Sequence, residues 1–421
     1  APVVVVSNEV GAGIVPENED YRVSIKRKPH PKGMAVSMWG NSFEPSRAAP
    51  VKLVHLDDEH AQIPSLERLG EASLWPKKVW PSFQNVALGF QSNTLELISS
   101  VSGLDCARDA NVAVVACVRN EMFMLPHFLA HYRKMGVEAF LIADNCSDDG
   151  TLEYLADQPD VSVFSVDTDY NLSYYGVAWQ QALMANFRVG KWSLVADADE
   201  LLFWESTHQA PLENLLSMPD FRGADAARVF MLDMYPKGAL ECADFRKLGP
   251  FDQAGFVDQE PFLANVLGQG PYSNMKTWTS ALRHRLMPGS RPDLFVAQKV
   301  ALLKYQPWMQ LSAGLHFVSG VNFAQRDLLF GHFKYNSDFR QKAQQEAVRQ
   351  QHFNNAEEYT KYANLMSEGR GQIFTKGISV PWRDCAFVNK MMTEDGPQSG
   401  ELQVKYSRKK VSVRSDCSDA A

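Results

Sequence analysis

Val112-Ala113-Val114-Val115-Ala116-Cys117-Val118-Arg119-Asn120-Glu121 begins with an unbroken apolar run and ends in three polar residues. A run of that length without alternation predicts a strand covered on both faces, as in a parallel sheet. Residues 121–135 then read as a helix, with Pro126 near its start and Gly136 as its stop. Working outward, the pattern repeats. Strands are predicted at 139–143, 161–166 and 192–196, and helices from Thr151 to Ala156 and from Gly176 to Arg188. Strands alternating with helices indicate a doubly wound α/β sheet, and such sheets bind ligands at the C-terminal ends of their strands.

Three polar motifs follow three of these strands. They are Arg119-Asn120-Glu121, then Asp144-Asn145-Cys146-Ser147-Asp148-Asp149-Gly150-Thr151, then Asp197-Ala198-Asp199-Glu200. Each has a plain reading as a turn or helix cap, since Ser147, Asp148 and Asp149 are good capping residues and Gly150 suits a turn. Together, at successive strand ends, they form a constellation. The chain here reads as extended, and the period-two alternation puts Asp197 and Asp199 on one side. Adjacent carboxylates repel unless a cation sits between them, and hard oxygen ligands favour Mg²⁺ or Mn²⁺. Asp144 suits ribose hydroxyls and Asp149 a base edge.

The chain has 421 residues, enough for two or three domains. Hydrophobic residues make up 45% and charged residues 22%, as in folded proteins. A formal net charge of −7 argues against a general nucleic-acid binder. The 6 cysteines include no Cys-x-x-Cys pair, so neither a zinc ribbon nor a disulfide framework is expected, and a reducing, cytoplasmic setting is the default. No transmembrane run is present. Ala1–Val6 makes a poor signal peptide, although a trimmed leader would leave the same sequence. Lys405, Arg408, Lys409, Lys410 and Arg414 form a basic stretch in a polar tail, compatible with peripheral contact at the inner face of a membrane.

Residues 1–110 read as a β-rich accessory region, with Tyr21–Lys26 and Ala35–Trp39 as strands; Trp75 and Trp80 leave a carbohydrate-binding module open. Beyond 205 further strands are predicted at 226–232, 299–305 and 314–319, with Asp233 closing the first. The Gly- and Pro-rich stretch 236–295 reads as binding loops, and from Asn322 the chain reads as helical. The resulting division is 1–110, 111–320 (halves 111–204 and 205–320) and 321–421.

The segment from Asn111 to Trp204 resembles the nucleotide-binding half of a bacterial family 2-like glycosyltransferase with the GT-A fold. The residues that carry this are Asp144, Asn145, Ser147, Asp149, Gly150 and Thr151, followed by Asp197 and Asp199. Arg119-Asn120-Glu121 and Asp197-Ala198-Asp199-Glu200 make it akin to the DUF23 and GT92 glycosyltransferases, as do Lys299–Lys304, Gly314–His316 and His332–Tyr335 further on. The resemblance covers roughly 111–365. It implies a Rossmann-like, mostly parallel sheet flanked by helices, a UDP-sugar donor, and an Mn²⁺ or Mg²⁺ ion on its diphosphate. Galactose is the sugar it suggests; the acceptor would be a polysaccharide or a lipid-linked glycan.

By position, Asn120 and Glu121 would lie beside the uracil, with Arg119 and Asn145 in the same donor-binding set. Asp144 and Asp149 would hold uridine, and Asp197 and Asp199 ribose and metal. His316 would complete the metal shell, with His332 as second choice, and Lys299, Lys304 and Lys334 would neutralise the diphosphate. The family favours inversion, which needs a carboxylate to accept the acceptor's proton. Asp233 is the expected base; Asp252, Asp258 and Glu260 are alternatives. The chain departs from its relatives in the first helix, where Pro126-His127 replaces an acidic residue. His127 and His131 have zinc-ligand spacing but no evident third ligand. Two other functions compete: a silent nucleotide- or sugar-binding protein on the same scaffold, and a sugar nucleotidyltransferase, which would bring a Gly-rich loop after the first strand.

Overall fold

A computed structural model describes residues 95–100, 102–205, 210–268, 272–306, 308–369 and 372–393. The strands and tryptophans expected before residue 95 and the basic stretch 405–414 lie outside the described residues.

The predicted alternation from 111 to 204 forms as expected. Strands β1 (Glu96–Leu97), β2 (Val112–Val118), β3 (Ala139–Asp144), β4 (Val161–Ser165) and β5 (Trp192–Val195) alternate with helices α1 (Ser102–Asp109), α2 (Leu125–Lys134), α3 (Thr151–Ala156) and α4 (Val177–Phe187). The sheet continues through β6 (Glu200–Phe203), β7 (Ala226–Asp233), β8 (Gln298–Lys304) and β9 (Leu328–His332). Its nine strands run in the order β1-β4-β3-β2-β5-β8-β7-β9-β6. β4, β3, β2 and β5 are mutually parallel. β8 runs antiparallel between β5 and β7, and β9 returns parallel to β7.

The unbroken apolar run of β2 has its physical reason here. Val112, Val114, Ala116 and Val118 enter one core with α2, and Ala113 and Val115 enter the other with α4. α4 is apolar nearly all round because it is buried nearly all round. It starts at Gly176, whose φ of +83° favours glycine and where a side chain would crowd Cys117 and Tyr170. At its other end Arg188 is fully buried. The guanidinium donates to the carbonyls of Ala107, Ala110, Asn111 and Trp192 and so fastens α1, β2 and β5 together.

Three expectations need correction. The stretch 236–295 is not all loop: it holds a hairpin, Phe262–Leu267 with Lys276–Ser280, and helix α5 (Ala281–Leu286). The chain after Asn322 is not helical at once, because β9 first joins the central sheet; helices α6 (Phe339–Arg349) and α7 (Phe353–Ser367) follow. The residues 314–319 form a 3-10 turn (Ala313–Leu315) and a two-residue strand rather than one extended run. Among the described residues no helix is long and apolar enough to cross a membrane.

Arg188→Ala leaves four carbonyls, three of them buried, without their donor, and should cost about 3 kcal/mol or more in stability. A loss of less than about 1 kcal/mol in the free energy of urea unfolding would show that Arg188 does not fasten these elements.

Candidate functional site at the carboxyl ends of the strands

β2, β3, β5, β7 and β9 end on one edge of the sheet, and the antiparallel β8 and β6 begin there. That topology gathers residues from 119 to 359 around one cavity of about 280 Å³. Of the residues singled out from sequence, Arg119, Glu121, Asn145, Asp197, Asp199, Lys299, His316, His332 and Lys334 line it.

Asp197 and Asp199 do not lie on an extended chain. Glu200 N–H donates to Asp197 O, and Asp197 N–H donates to Glu200 Oε2, so the motif is a tight turn between β5 and β6. Its carboxylates therefore diverge. Asp197 meets Lys299 Nζ at 2.5 Å, and the same ammonium reaches Glu200 at 2.7 Å. Asp199 faces His332 Nε2 at 3.5 Å. His332 Nδ1 lies 2.5 Å from Asp233.

Asp233 itself is nearly fully enclosed. Arg283 of α5 donates to both its oxygens at 2.9 Å, and Ser280 Oγ donates at 2.5 Å. Burial would raise this carboxyl, but Arg283 and His332 outweigh it and hold the group far below the usual carboxylate range. A carboxylate so satisfied is an anchor and a poor base, so Asp233 does not fit the role expected from its position.

Asp144 and Asp149 are also committed elsewhere. Asp144 is fully buried and accepts from Ser147 N–H and Ser147 Oγ–H. Asp149 accepts from the amides of Thr151 and Met122 and so ties the start of α3 to the loop after β2. Asn120, at φ +52°, exchanges hydrogen bonds with Asp148 and donates its backbone N–H to Ser147 Oγ. These three residues stitch two loops together and do not line the cavity. Lys304 is a correction too. It lies five residues beyond Lys299 along β8, about 17 Å at ~3.3 Å per residue, and sits over the Trp192 ring. His127 and His131 bond to two different backbone carbonyls, Phe245 O and Leu202 O, which rules out a shared zinc.

The helices α6 and α7, beyond the expected domain, close the cavity. Lys342, Glu346 and Arg349 share one face of α6 at i, i+4 and i+7. Lys342 pairs with Glu121, and Arg349 donates to Asn145 Oδ1 at 2.7 Å. Glu346 pairs with His352 at 3.1 Å and Arg349 at 3.6 Å, and Glu358 of α7 pairs with Lys334 at 3.1 Å. Burial lowers Lys334, with Glu358 opposing. The α6 face, with its charges spaced by four and three, was the available sequence signal. Nothing in sequence marked Arg283, because its partner lies fifty residues upstream.

Backbone strain gathers at the same place. The non-glycine residues with positive φ are Asn120, Cys146, Tyr174, Tyr175, Leu315, Gln350, Asn354, Asn355 and Ala356 among the described residues. Each lines the cavity or adjoins a residue that does. Such conformations cost about 1–3 kcal/mol each and persist where surrounding structure imposes them.

For a divalent cation the donor chemistry fits. Asp197 and Asp199 are hard ligands. His316 Nδ1 bonds to Gln298 O at 2.9 Å, and burial lowers its pKa to about 4, so its Nε2 lone pair is free. Among the described residues, however, no three His, Cys, Asp or Glu side chains are gathered for a metal. The chain matches no family model, and no curated protein matches it.

Asp233→Ala strands Arg283 in the interior and should destabilise by about 3–5 kcal/mol. The Asp233 pKa is depressed, so its contribution is present above the unfolded carboxyl value of about 4 and is lost as pH falls below that. The stability gap between wild type and Asp233→Asn, measured in urea, should therefore be widest near pH 6 and narrow by pH 3. A gap that widens on acidification would contradict the assignment.

Proposed function

We propose that the chain is a GT-A-type glycosyltransferase that moves a sugar from a UDP-sugar to a hydroxyl of a glycan or lipid-linked glycan, with inversion. The observation that carries this reading is the cavity's charge arrangement. Arg119, Lys299, Lys334, Lys342 and Arg349 line the same cavity as the turn that bears Asp197 and Asp199, at the sheet edge where α/β proteins bind nucleotides. Cations in that number suit a diphosphate, whose leaving charge must be offset as the glycosidic bond breaks.

Asp197, Asp199 and the free Nε2 of His316 would hold Mn²⁺ or Mg²⁺, which supplies Lewis-acid neutralisation of the diphosphate when bound. Lys299, now between Asp197 and Glu200, is placed to turn towards a phosphate oxygen. Lys342 and Lys334 keep their carboxylate partners until a more highly charged anion competes. The nucleoside end falls to Arg119, Asn145, Arg349 and the Tyr170 ring, which contacts His352 at 5.3 Å. Asp144 and Asp149 act indirectly, by holding the loop that carries Asn145.

Calorimetric titration of UDP should show binding strengthened by Mn²⁺ and lost in Asp199→Ala. Lys342→Met should weaken it about tenfold or more, the worth of one charge-assisted hydrogen bond. Absence of UDP binding with and without Mn²⁺ would remove the reading.

A further inference from the structure

Seven carboxylates line the cavity. Six of them hold the cationic or imidazole partners described above. The seventh, Asp293, belongs to the 3-10 turn Pro292–Phe295 that leads into β8. It is 4% exposed, and neither carboxylate oxygen has a hydrogen-bond partner. Its one ion pair is with Arg291, whose Nε lies 3.3 Å away outside hydrogen-bonding geometry. A buried, unpartnered carboxylate is costly, and a fold keeps one where the vacant lone pairs have a use.

We propose that Asp293 is the proton acceptor of the transfer reaction and marks the end of the cavity where the acceptor hydroxyl sits. This rests on the glycosyltransferase reading above. In the step, the acceptor O–H proton passes to an Asp293 oxygen as that hydroxyl oxygen bonds to the anomeric carbon. The bond from the anomeric carbon to the diphosphate breaks, and its electron pair leaves with UDP. Atoms and charge balance without a further reactant.

The surroundings suit a base. Arg291 lies beside Asp293 on its own turn and over the Phe353 ring of α7, with its guanidinium carbon 5.6 Å from the ring centroid. Glu357 of α7 approaches the same guanidinium at 3.8 Å. Burial raises the Asp293 carboxyl above its usual range; Arg291 and the nearby amides of Asp293 and Leu294 oppose, and Glu357 adds to the rise. The group is thus a stronger base than an exposed carboxylate, and unlike Asp233 it is tied by no charge-assisted hydrogen bond. Phe353 and Leu294 also line the cavity and give this end an apolar wall against which a sugar ring could pack.

The test uses the whole chain and follows UDP release from UDP-galactose, UDP-glucose and UDP-N-acetylglucosamine, with water alone and with mixed methyl glycosides as acceptors. UDP binding and thermal unfolding are followed in parallel. Asp293→Asn should bind UDP within twofold of wild type and melt no lower, since it removes a buried charge that no hydrogen bond satisfies. Its UDP release should fall by about 10²–10⁴-fold, and the acid limb of the wild-type rate profile should vanish. In Asp293→Gly, added formate should restore part of the rate, which a merely structural residue would not permit. Release by Asp293→Asn within threefold of wild type would overturn the assignment while leaving the glycosyltransferase reading intact. Loss of UDP binding in Asp293→Asn would recast Asp293 as a donor-site support and overturn it as well. A wild-type chain that neither binds UDP nor releases it from any donor would overturn both.

Discussion

One chain of contacts underlies the rest of the molecule: Arg283 to Asp233, Asp233 to His332, and His332 to Asp199. It crosses from α5 through β7 and β9 to the turn between β5 and β6. Each member is a charge or imidazole that the interior would otherwise penalise, and each relieves the next. Because Arg283 holds Asp233 ionised, the carboxylate can anchor His332. Because His332 is anchored, its second nitrogen faces the acidic turn. The last strands of the sheet are thereby registered against the first.

A site built from so many buried charges is held by mutual pairing rather than by burial of apolar surface. Most cationic groups at the cavity have a carboxylate close by, and several are set to exchange it for a ligand anion. The left-handed residues around the rim belong to the same economy of structure. Asn354, Asn355 and Ala356 let α7 bring Phe353 and Glu358 to the cavity from one short turn. Local backbone comfort is given up there for placement of side chains.

Much of the fold was legible because its signals are local. The apolar run of β2 is unbroken since both faces of that strand are covered, and Gly136, Gly150 and Gly176 mark the turns where the backbone takes positive φ. What misled was also local. Asp-x-Asp reads as two residues of a strand until Glu200 folds back on Asp197. Asp144 and Asp149 read as ligands until Ser147, Thr151 and Met122 are seen to use their oxygens. A strand of five residues such as β9 gives a weak period, and helix formers nearby obscured it.

The sequence by itself determined the alternation of strands and helices and the polar residues that end each strand, because backbone period and turn chemistry act over a few residues. Only the tertiary structure decided which carboxylates are spent and which are free. Asp233 meets Arg283 across fifty residues, Glu121 meets Lys342 across more than two hundred, and Asp293 is given no hydrogen-bond partner by any distant element. Whether a carboxylate serves as anchor, ligand or base depends on the cation beside it, and that neighbour is chosen by the packing of distant elements.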